Sequence, residues 1–186
     1  QPTKFIDNLS PLINNGFIYI YEIFDGIREA WSKKLDITWG KLFEFMHLYI
    51  NRDEFWRDEF IVEKEDFLGG ANHFWIVGII TDLIQQGTRD DSWAFDEQYL
   101  KNAEQILFLI FDNLEAEEEE EKSDYVTHAL NSSHGKTLSA FINLALRIAR
   151  TNDKRGDKAE IKWSPAIKGK YDELLAKKII ESYTFL

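Results

Sequence analysis

The chain has 186 residues, of which 44% are hydrophobic, so it is long and apolar enough for one domain with a real core and is not a disordered chain. It contains no Cys, which excludes a disulfide framework and thiol chemistry. Its formal net charge is −11, and a chain this acidic is poorly suited to nucleic acid, because affinity for DNA or RNA depends on neutralising phosphates.

The first part of the chain predicts two amphipathic helices, because apolar residues recur every three or four positions. The break between them, "KKLD", is short and offers Asp36 as an N-cap. Two helices joined by so short a turn are expected to lie antiparallel, as a helical hairpin. The two apolar stripes are Phe17, Ile20, Tyr21, Phe24, Ile27 and Trp31, and then Trp39, Leu42, Phe43, Met46, Tyr49 and Ile50.

The middle of the chain predicts two further helices. The segment "EFIVE" (residues 59–63) is the only strand candidate, and a single strand has nothing to pair with. The segment "NHFWIVGIITDLIQQG" is apolar on almost every side and predicts a buried helix that stops at Gly87. The next amphipathic helix is predicted from Tyr99 to Leu114.

Charge is unevenly distributed over the second half of the chain. Residues 90–124 hold 13 acids and two Lys, and six of the acids fall within residues 115–121. Residues 115–124 are predicted to form an acidic solvated loop, because a calcium site needs spaced oxygen ligands and a turn-forming Gly that this segment lacks. Residues 147–170 hold eight Lys and Arg against three acids, and we interpret this basic stretch as solvated, with contact to a phosphate or an acidic partner as the alternative.

The last third of the chain predicts a short helix and two longer ones. The short helix, "YVTHAL", is followed by a longer helix that Ser133 is expected to cap. A polar loop at residues 151–164 leads to the last helix, for which Ser164 and Pro165 form a start signal.

In all, six long helices and one short helix predict a single all-α domain over residues 1–186, built from helical hairpins stacked as an irregular α-solenoid-like array. Since the chain begins with "QPTKF" and ends with "SYTFL", we expect it to be a fragment of a longer chain. No apolar segment reaches the roughly 20 residues that a bilayer requires, so we expect no contact with a membrane.

The tripeptide Gly135-Lys136-Thr137 matches the end of the phosphate-binding loop of many NTPases. That loop needs another Gly five positions before Gly135, where this chain has Leu130, and it needs a preceding strand, where "SDYVTHAL" predicts a helix. We therefore expect a turn between two helices here and no nucleotide.

Other catalytic and metal motifs are also missing from the sequence. The four His residues form no His-x-x-x-His pair, no Gly-x-Ser-x-Gly occurs, and 33 acids make any choice of an acid/base pair arbitrary. We therefore expect no catalytic residue, no cofactor and no metal in this chain. A pocket that held His73 or His128 beside a carboxylate would favour an enzyme instead.

Residues 124–150, "DYVTHALNSSHGKTLSAFINLALRIAR", carry the pattern Ala-Leu-Asn-Ser/His-x-x-Gly-x-x-Leu-x-Ala-Leu/Phe-x-x-x-Ala-Leu. This pattern resembles the long helical tails of bacterial antiphage defence proteins, which are large proteins with sirtuin-like or STAND-type NTPase effector domains at the N-terminus. The segments "LDITWGKLFEFMHLYI" and "HFWIVGIITDLIQQGTRDDSWAF" resemble two earlier helices of those tails. The similarity covers Ala30 to Ser182 and is most specific from Asn131 to Ala145.

The resemblance implies a non-catalytic, cytoplasmic protein-interaction module, the sensor or scaffold part of a larger antiviral defence protein, whose partner is a phage protein or the rest of its own chain. Self-association of the chain is a further alternative. The alternative is a stand-alone all-helical enzyme or small-molecule-binding domain with an acidic, aromatic-lined pocket. The motif residues carried over are Ala129, Leu130, Asn131, Gly135, Leu138, Ala140 and Phe141, which together with Ser133 we interpret as structural. For a module, we expect an exposed apolar or aromatic strip on a terminal face, with "IIESYTFL" as a candidate.

Overall fold

The computed structural model of the chain describes residues 19–59, 71–114, 131–156 and 164–176. These ranges contain α-helices and short 3-10 turns but no strand, so the all-α prediction is confirmed. The helices are α1 (Ile20–Ser32), α2 (Trp39–Ile50), α3 (Asp53–Trp56), α4 (His73–Arg89), α5 (Leu100–Asn113), α6 (Ser133–Lys154) and α7 (Pro165–Ala176). The predicted acidic loop, the short helix "YVTHAL", most of "EFIVE" and the candidate strip "IIESYTFL" lie outside the described residues.

Helix α4 lies at the centre of the fold. Its backbone packs closely against α6 and α1, α6 also packs against α5, and α5 packs against α2. Helices α1 and α2 contact each other through aromatic rings, with Phe24 and Phe45 5.8 Å apart and Trp31 and Trp39 4.9 Å apart between ring centroids. The helices whose backbones pack most closely are not consecutive in the chain: α4 packs against α6 and α1. A stack of hairpins would instead pair consecutive helices, so the stacked-hairpin arrangement stays a prediction.

The apolar stripes read from the sequence face the core. Phe24, Ile27 and Trp31 of α1 are buried, and α2 buries Trp39 together with its whole predicted stripe. Helix α4 buries every residue from Ile76 to Thr81, which agrees with a sequence that is apolar on nearly all sides and with its central position. Among the residues that the structure describes, no helix combines the length and the apolar character needed to cross a membrane.

Three predicted helix ends differ from the structure. The N-cap of α2 is Thr38 rather than Asp36, because the helix starts where Trp39 enters the core. Helix α4 continues past Gly87 to Arg89, so Gly87 does not end the helix. The lack of a side chain at Gly87 instead leaves room for the ring of Phe95. Helix α6 runs to Lys154, so the first four residues of the predicted loop 151–164 are helical.

Candidate functional site

The first turn of α4 is anchored at its backbone by two side chains. Asn72, the N-cap, accepts a hydrogen bond from the backbone N–H of Trp75 at 3.1 Å. Asp58, which follows α3, accepts one from the backbone N–H of His73 at 2.7 Å. A carboxylate at a helix N-terminus also interacts favourably with the helix dipole. The turn that carries Trp75 is therefore held in one orientation.

A third anchor comes from the start of α6. The hydroxyl of Ser133 donates a hydrogen bond to the backbone carbonyl of Phe74 at 2.8 Å. The prediction that Ser133 caps α6 is wrong: Ser132 is the N-cap, and its Oγ accepts from the N–H of Gly135 at 3.1 Å. Two adjacent serines thus divide two tasks, one starting α6 and the other joining α6 to α4.

The Gly-Lys-Thr tripeptide lies in the first two turns of α6 and is occupied by contacts inside the protein. Lys136 Nζ lies 3.2 Å from Oδ2 of Asp82 on α4, and the hydroxyl of Thr137 donates to the carbonyl of Ser133 at 2.6 Å. Gly135 and Thr137 are buried. Lys136 thus joins α6 to α4, and the tripeptide is part of a helix rather than an open loop.

The other motif residues line the inner face of α6 or its start. Asn131 is exposed just before the N-cap, whereas Leu138, Ala140 and Phe141 are buried. The ring of Phe141 contacts Phe111 of α5, with 5.7 Å between the ring centroids. Ala129 and Leu130 lie outside the described residues.

The anchored turn of α4 presents an exposed aromatic residue. Trp75 is 63% exposed, although it lies in a segment that is apolar on almost every side. Its one ring neighbour among the described residues is Tyr21 of α1, at 5.9 Å between centroids and in an edge-on arrangement. Trp75 and Tyr21 form the aromatic pair. Sequence reasoning missed it because periodicity predicted burial for the entire helix.

Asp58 and His73 form a second candidate site below the same turn. Oδ2 of Asp58 lies 2.9 Å from Nδ1 of His73, so the carboxylate can accept a hydrogen bond from Nδ1–H and fix the orientation of the imidazole. The rings of Phe55, Trp56 and Phe74 surround the imidazole. The backbone of Asp58 has a positive φ of 55°, which is uncommon for a residue with a side chain. No sequence signal marked Asp58.

Three cations in the C-terminal part of α6 bind the same carboxylate, which lies outside that helix. Asp91, in the turn after α4, lies 2.7 Å from Arg147, 3.0 Å from Arg150 and 2.9 Å from Lys154. Hydrogen bonds from Lys154, Arg150 and Arg147 hold the pKa of Asp91 well below its ordinary value, although desolvation opposes them. The interpretation of the basic stretch as a solvated segment is therefore incomplete, since its first residues form a helix and bind Asp91.

The alternative reading required an acidic pocket lined by aromatic residues. The described part of the chain has a shallow polar cleft beside α1 and α4, and it is lined by Asp25, Arg28, Glu29, Ser32 and Gln86, without an aromatic residue. Groups of three or more side chains able to hold a metal ion are absent from ranges 19–59, 71–114, 131–156 and 164–176.

Comparison with protein-family models, with curated proteins and with solved structures found no match to this chain.

Proposed function

We propose that this chain is a non-catalytic protein-interaction module and that Trp75 is a principal contact to its partner. The observation that carries the proposal is the 63% exposure of Trp75 on the anchored turn. Trp and Tyr are enriched among the residues that dominate protein–protein binding, because a flat ring buries a large area at a low cost in side-chain entropy.

The anchoring of the turn supports this role. Asn72, Asp58 and Ser133 hold the backbone of Trp75 and of the two residues before it in place before any partner arrives. A contact residue on a rigid platform loses less freedom on binding than one on a mobile loop, so more of its contact energy appears as affinity.

The broader setting rests on the resemblance at Asn131 to Ala145. On that basis the module is the sensor or scaffold part of a larger cytoplasmic antiviral defence protein, and its partner is a phage protein or another part of the same protein. Ser133, the residue that anchors the turn below Trp75, lies within the segment from Asn131 to Ala145, although it is not one of the residues that carry the resemblance. Catalysis then belongs to a different domain, and neither a membrane nor nucleic acid is the partner.

The test uses the chain as bait for phage proteins, followed by a binding measurement with the purified partner. Trp75→Ala is expected to raise the dissociation constant by about 30-fold, since loss of a central Trp costs roughly 2 kcal/mol or more. The matched control is Leu48→Ala, which removes another exposed apolar side chain from a different helix and should leave binding unchanged.

Equal affinities of the two variants for the same purified partner would show that the aromatic pair is not the contact. Loss of binding in both would point to a general loss of the fold, and circular dichroism of each variant separates these cases. Equal affinities of two folded variants would remove the support that Trp75 lends to the proposal.

An enzyme is the second candidate, and the contact between Asp58 and His73 favours it. A carboxylate that orients an imidazole is the arrangement of a general base. Chromogenic esters, phosphoesters and glycosides would be tested for turnover, which His73→Gln should abolish and which His47→Gln, a change at an exposed His, should preserve. Absence of turnover in the unmodified chain, with only a lower stability in His73→Gln, would instead mean that Asp58 and His73 only join α3 to α4.

A further inference from the structure

Helices α1 and α4 lie side by side and run in the same direction. Tyr21 of α1 meets Trp75 of α4, and two turns further along both helices Nη1 of Arg28 lies 3.4 Å from Oδ2 of Asp82. Arg28 and Asp82 are 54 residues apart in sequence, as are Tyr21 and Trp75, so the two helices keep one register over this length. Their outer side therefore forms one continuous surface, the α1–α4 surface, which starts at the aromatic pair.

The polar cleft between α1 and α4 lies further along the same surface. Its volume is about 190 Å³, whereas pockets for cofactors and drug-sized ligands have roughly 300–1,000 Å³, so the cleft suits one side chain of a partner better than a small molecule. Arg28, the cation in its lining, is held by Asp25 and Asp82. The carboxylates of Asp25 and Glu29 and the amide oxygen of Gln86 are acceptors, so we expect the entering side chain to be a hydrogen-bond donor.

The α1 side of this surface carries a row of carboxylates. Glu22, Asp25 and Glu29 are spaced three and four residues apart, so they lie on one face of α1 at successive turns. Glu22 is exposed and makes no ion pair with any other described residue. The side chains of Asp25 and Glu29 are 42% and 64% exposed and pair with Arg28 and Lys33 of the same segment. Exposed pairs of this kind contribute little, because water screens them, so an incoming cation can share these carboxylates.

We infer that the partner of this module presents a segment in which an apolar side chain covers Trp75 and an Arg or Lys side chain enters the cleft. Asp25 and Glu29 follow Tyr21 by four and eight residues, which is about 6 Å and 12 Å along the helix axis. An extended segment covers that distance in about two to four residues. The inference rests on the proposed function, since it keeps Trp75 as a contact and adds the charge of the partner.

The overall charge of the chain supports a cationic partner. A net charge of −11 attracts basic segments over a distance and repels acidic ones. Complementary charge beside an aromatic contact also fixes the direction in which a segment lies, because the apolar and the cationic side chain have different places to bind. The aromatic pair and the row of carboxylates together therefore select one kind of segment.

The first experiment selects short random peptides from a displayed library against the immobilised chain. Enriched peptides are expected to carry Arg or Lys two to four residues away from an apolar or aromatic residue. Enrichment of acidic or uncharged peptides would overturn the inference, and so would the absence of any enrichment. A synthetic copy of the most enriched peptide then serves as the probe for affinity measurements.

Neutral variants of the carboxylates test where the cation binds. Asp25→Asn with Glu29→Gln is expected to raise the dissociation constant of the peptide about tenfold, because two charges that attract the cation are lost. The matched control is Asp172→Asn with Glu44→Gln, which changes the net charge equally at exposed residues of α7 and α2 and should leave the affinity unchanged. Equal losses in variant and control would show that only the total charge matters, which would overturn the inference.

Two further variants keep the outcomes distinguishable. Glu22→Gln breaks no ion pair of the described residues and should raise the dissociation constant about threefold, so it tests the inference even if the double variant does not fold. Trp75→Ala separates the inference from the proposed function. If Trp75→Ala weakens binding and the carboxylate variants do not, Trp75 remains a contact and the cationic partner is wrong. If Trp75→Ala has no effect, the proposed role of Trp75 fails as well.

Discussion

At the scale of single residues, the absence of a side chain decides one of the closest contacts in the core. An ideal Cβ on Gly87 would lie 2.3 Å from Cδ1 of Phe95 and 3.2 Å from Cη2 of Trp39. The backbone N–H of Phe95 also donates to the carbonyl of Gly87 at 3.0 Å. The ring is therefore held against the helix by a contact that only Gly allows, and the sequence alone suggested a helix stop instead.

The substitution Gly87→Ala is expected to destabilise the protein by about 1–3 kcal/mol, because the added methyl overlaps a buried ring in a packed core. Gly26→Ala is the matched control, since a Cβ on Gly26 meets nothing within 4 Å. In α1 this change should stabilise by roughly 0.5–1 kcal/mol, because Ala is the better helix residue. Urea unfolding of both variants measures the difference, and equal stabilities would contradict the predicted overlap.

At the scale of elements, the start of α6 depends on which of two adjacent serines has helical geometry. Ser132 has an extended backbone and its side chain caps the helix, whereas Ser133 is the first helical residue and joins α6 to Phe74. Sequence preferences cannot separate them, because both are good capping residues and the register depends on where α6 meets α4.

The costs in stability of Ala and Gly substitutions should rank in opposite orders at these two positions. At the N-cap, Ser132→Ala is expected to cost about 1 kcal/mol and Ser132→Gly only a few tenths. At the helical position, Ser133→Gly should be the more harmful change, because Gly has the lower helix propensity. Thermal unfolding of the four variants gives the two orders. The same order at both positions would mean that the cap is assigned to the wrong serine.

At the scale of the whole molecule, the burial of one tyrosine makes the free energy of unfolding depend on pH in the alkaline range. Tyr49 is 2% exposed in the core around α2. Burial raises the pKa of its phenol well above the ordinary value, and the charge of Asp58 acts in the same direction, while Arg52 opposes it. The folded state therefore retains a proton that the unfolded chain releases at high pH.

A raised pKa contributes stability that is fully present below the unfolded pKa of about 10 and is lost as the pH rises above it. Between pH 9 and pH 11 this group alone should remove about 1 kcal/mol from the free energy of unfolding. Tyr49→Phe is expected to lose that much less stability over the same interval, measured by urea unfolding at both pH values. An identical loss of stability in the two proteins would show that Tyr49 does not cause the fall in stability between pH 9 and pH 11.

The sequence predicted features that depend on one helix more accurately than features that depend on contacts between helices. The spacing of Phe24, Ile27 and Trp31 predicted a helix and its buried face, because that pattern depends only on the geometry of one helix. Helix ends were less accurate: α2 starts later than predicted, and α4 and α6 run further. Ends depend on contacts with other helices, which periodicity does not contain.

The sequence by itself determined the all-helical fold, the buried faces and the uneven charge, since each follows from composition or from spacing within one segment. Only the tertiary structure decided that Trp75 is exposed, that Asp58 meets His73, and that Arg147 binds Asp91 at a separation of 56 residues. These facts depend on which helices become neighbours. That choice is made by the packing of whole apolar faces and not by any local pattern of residues.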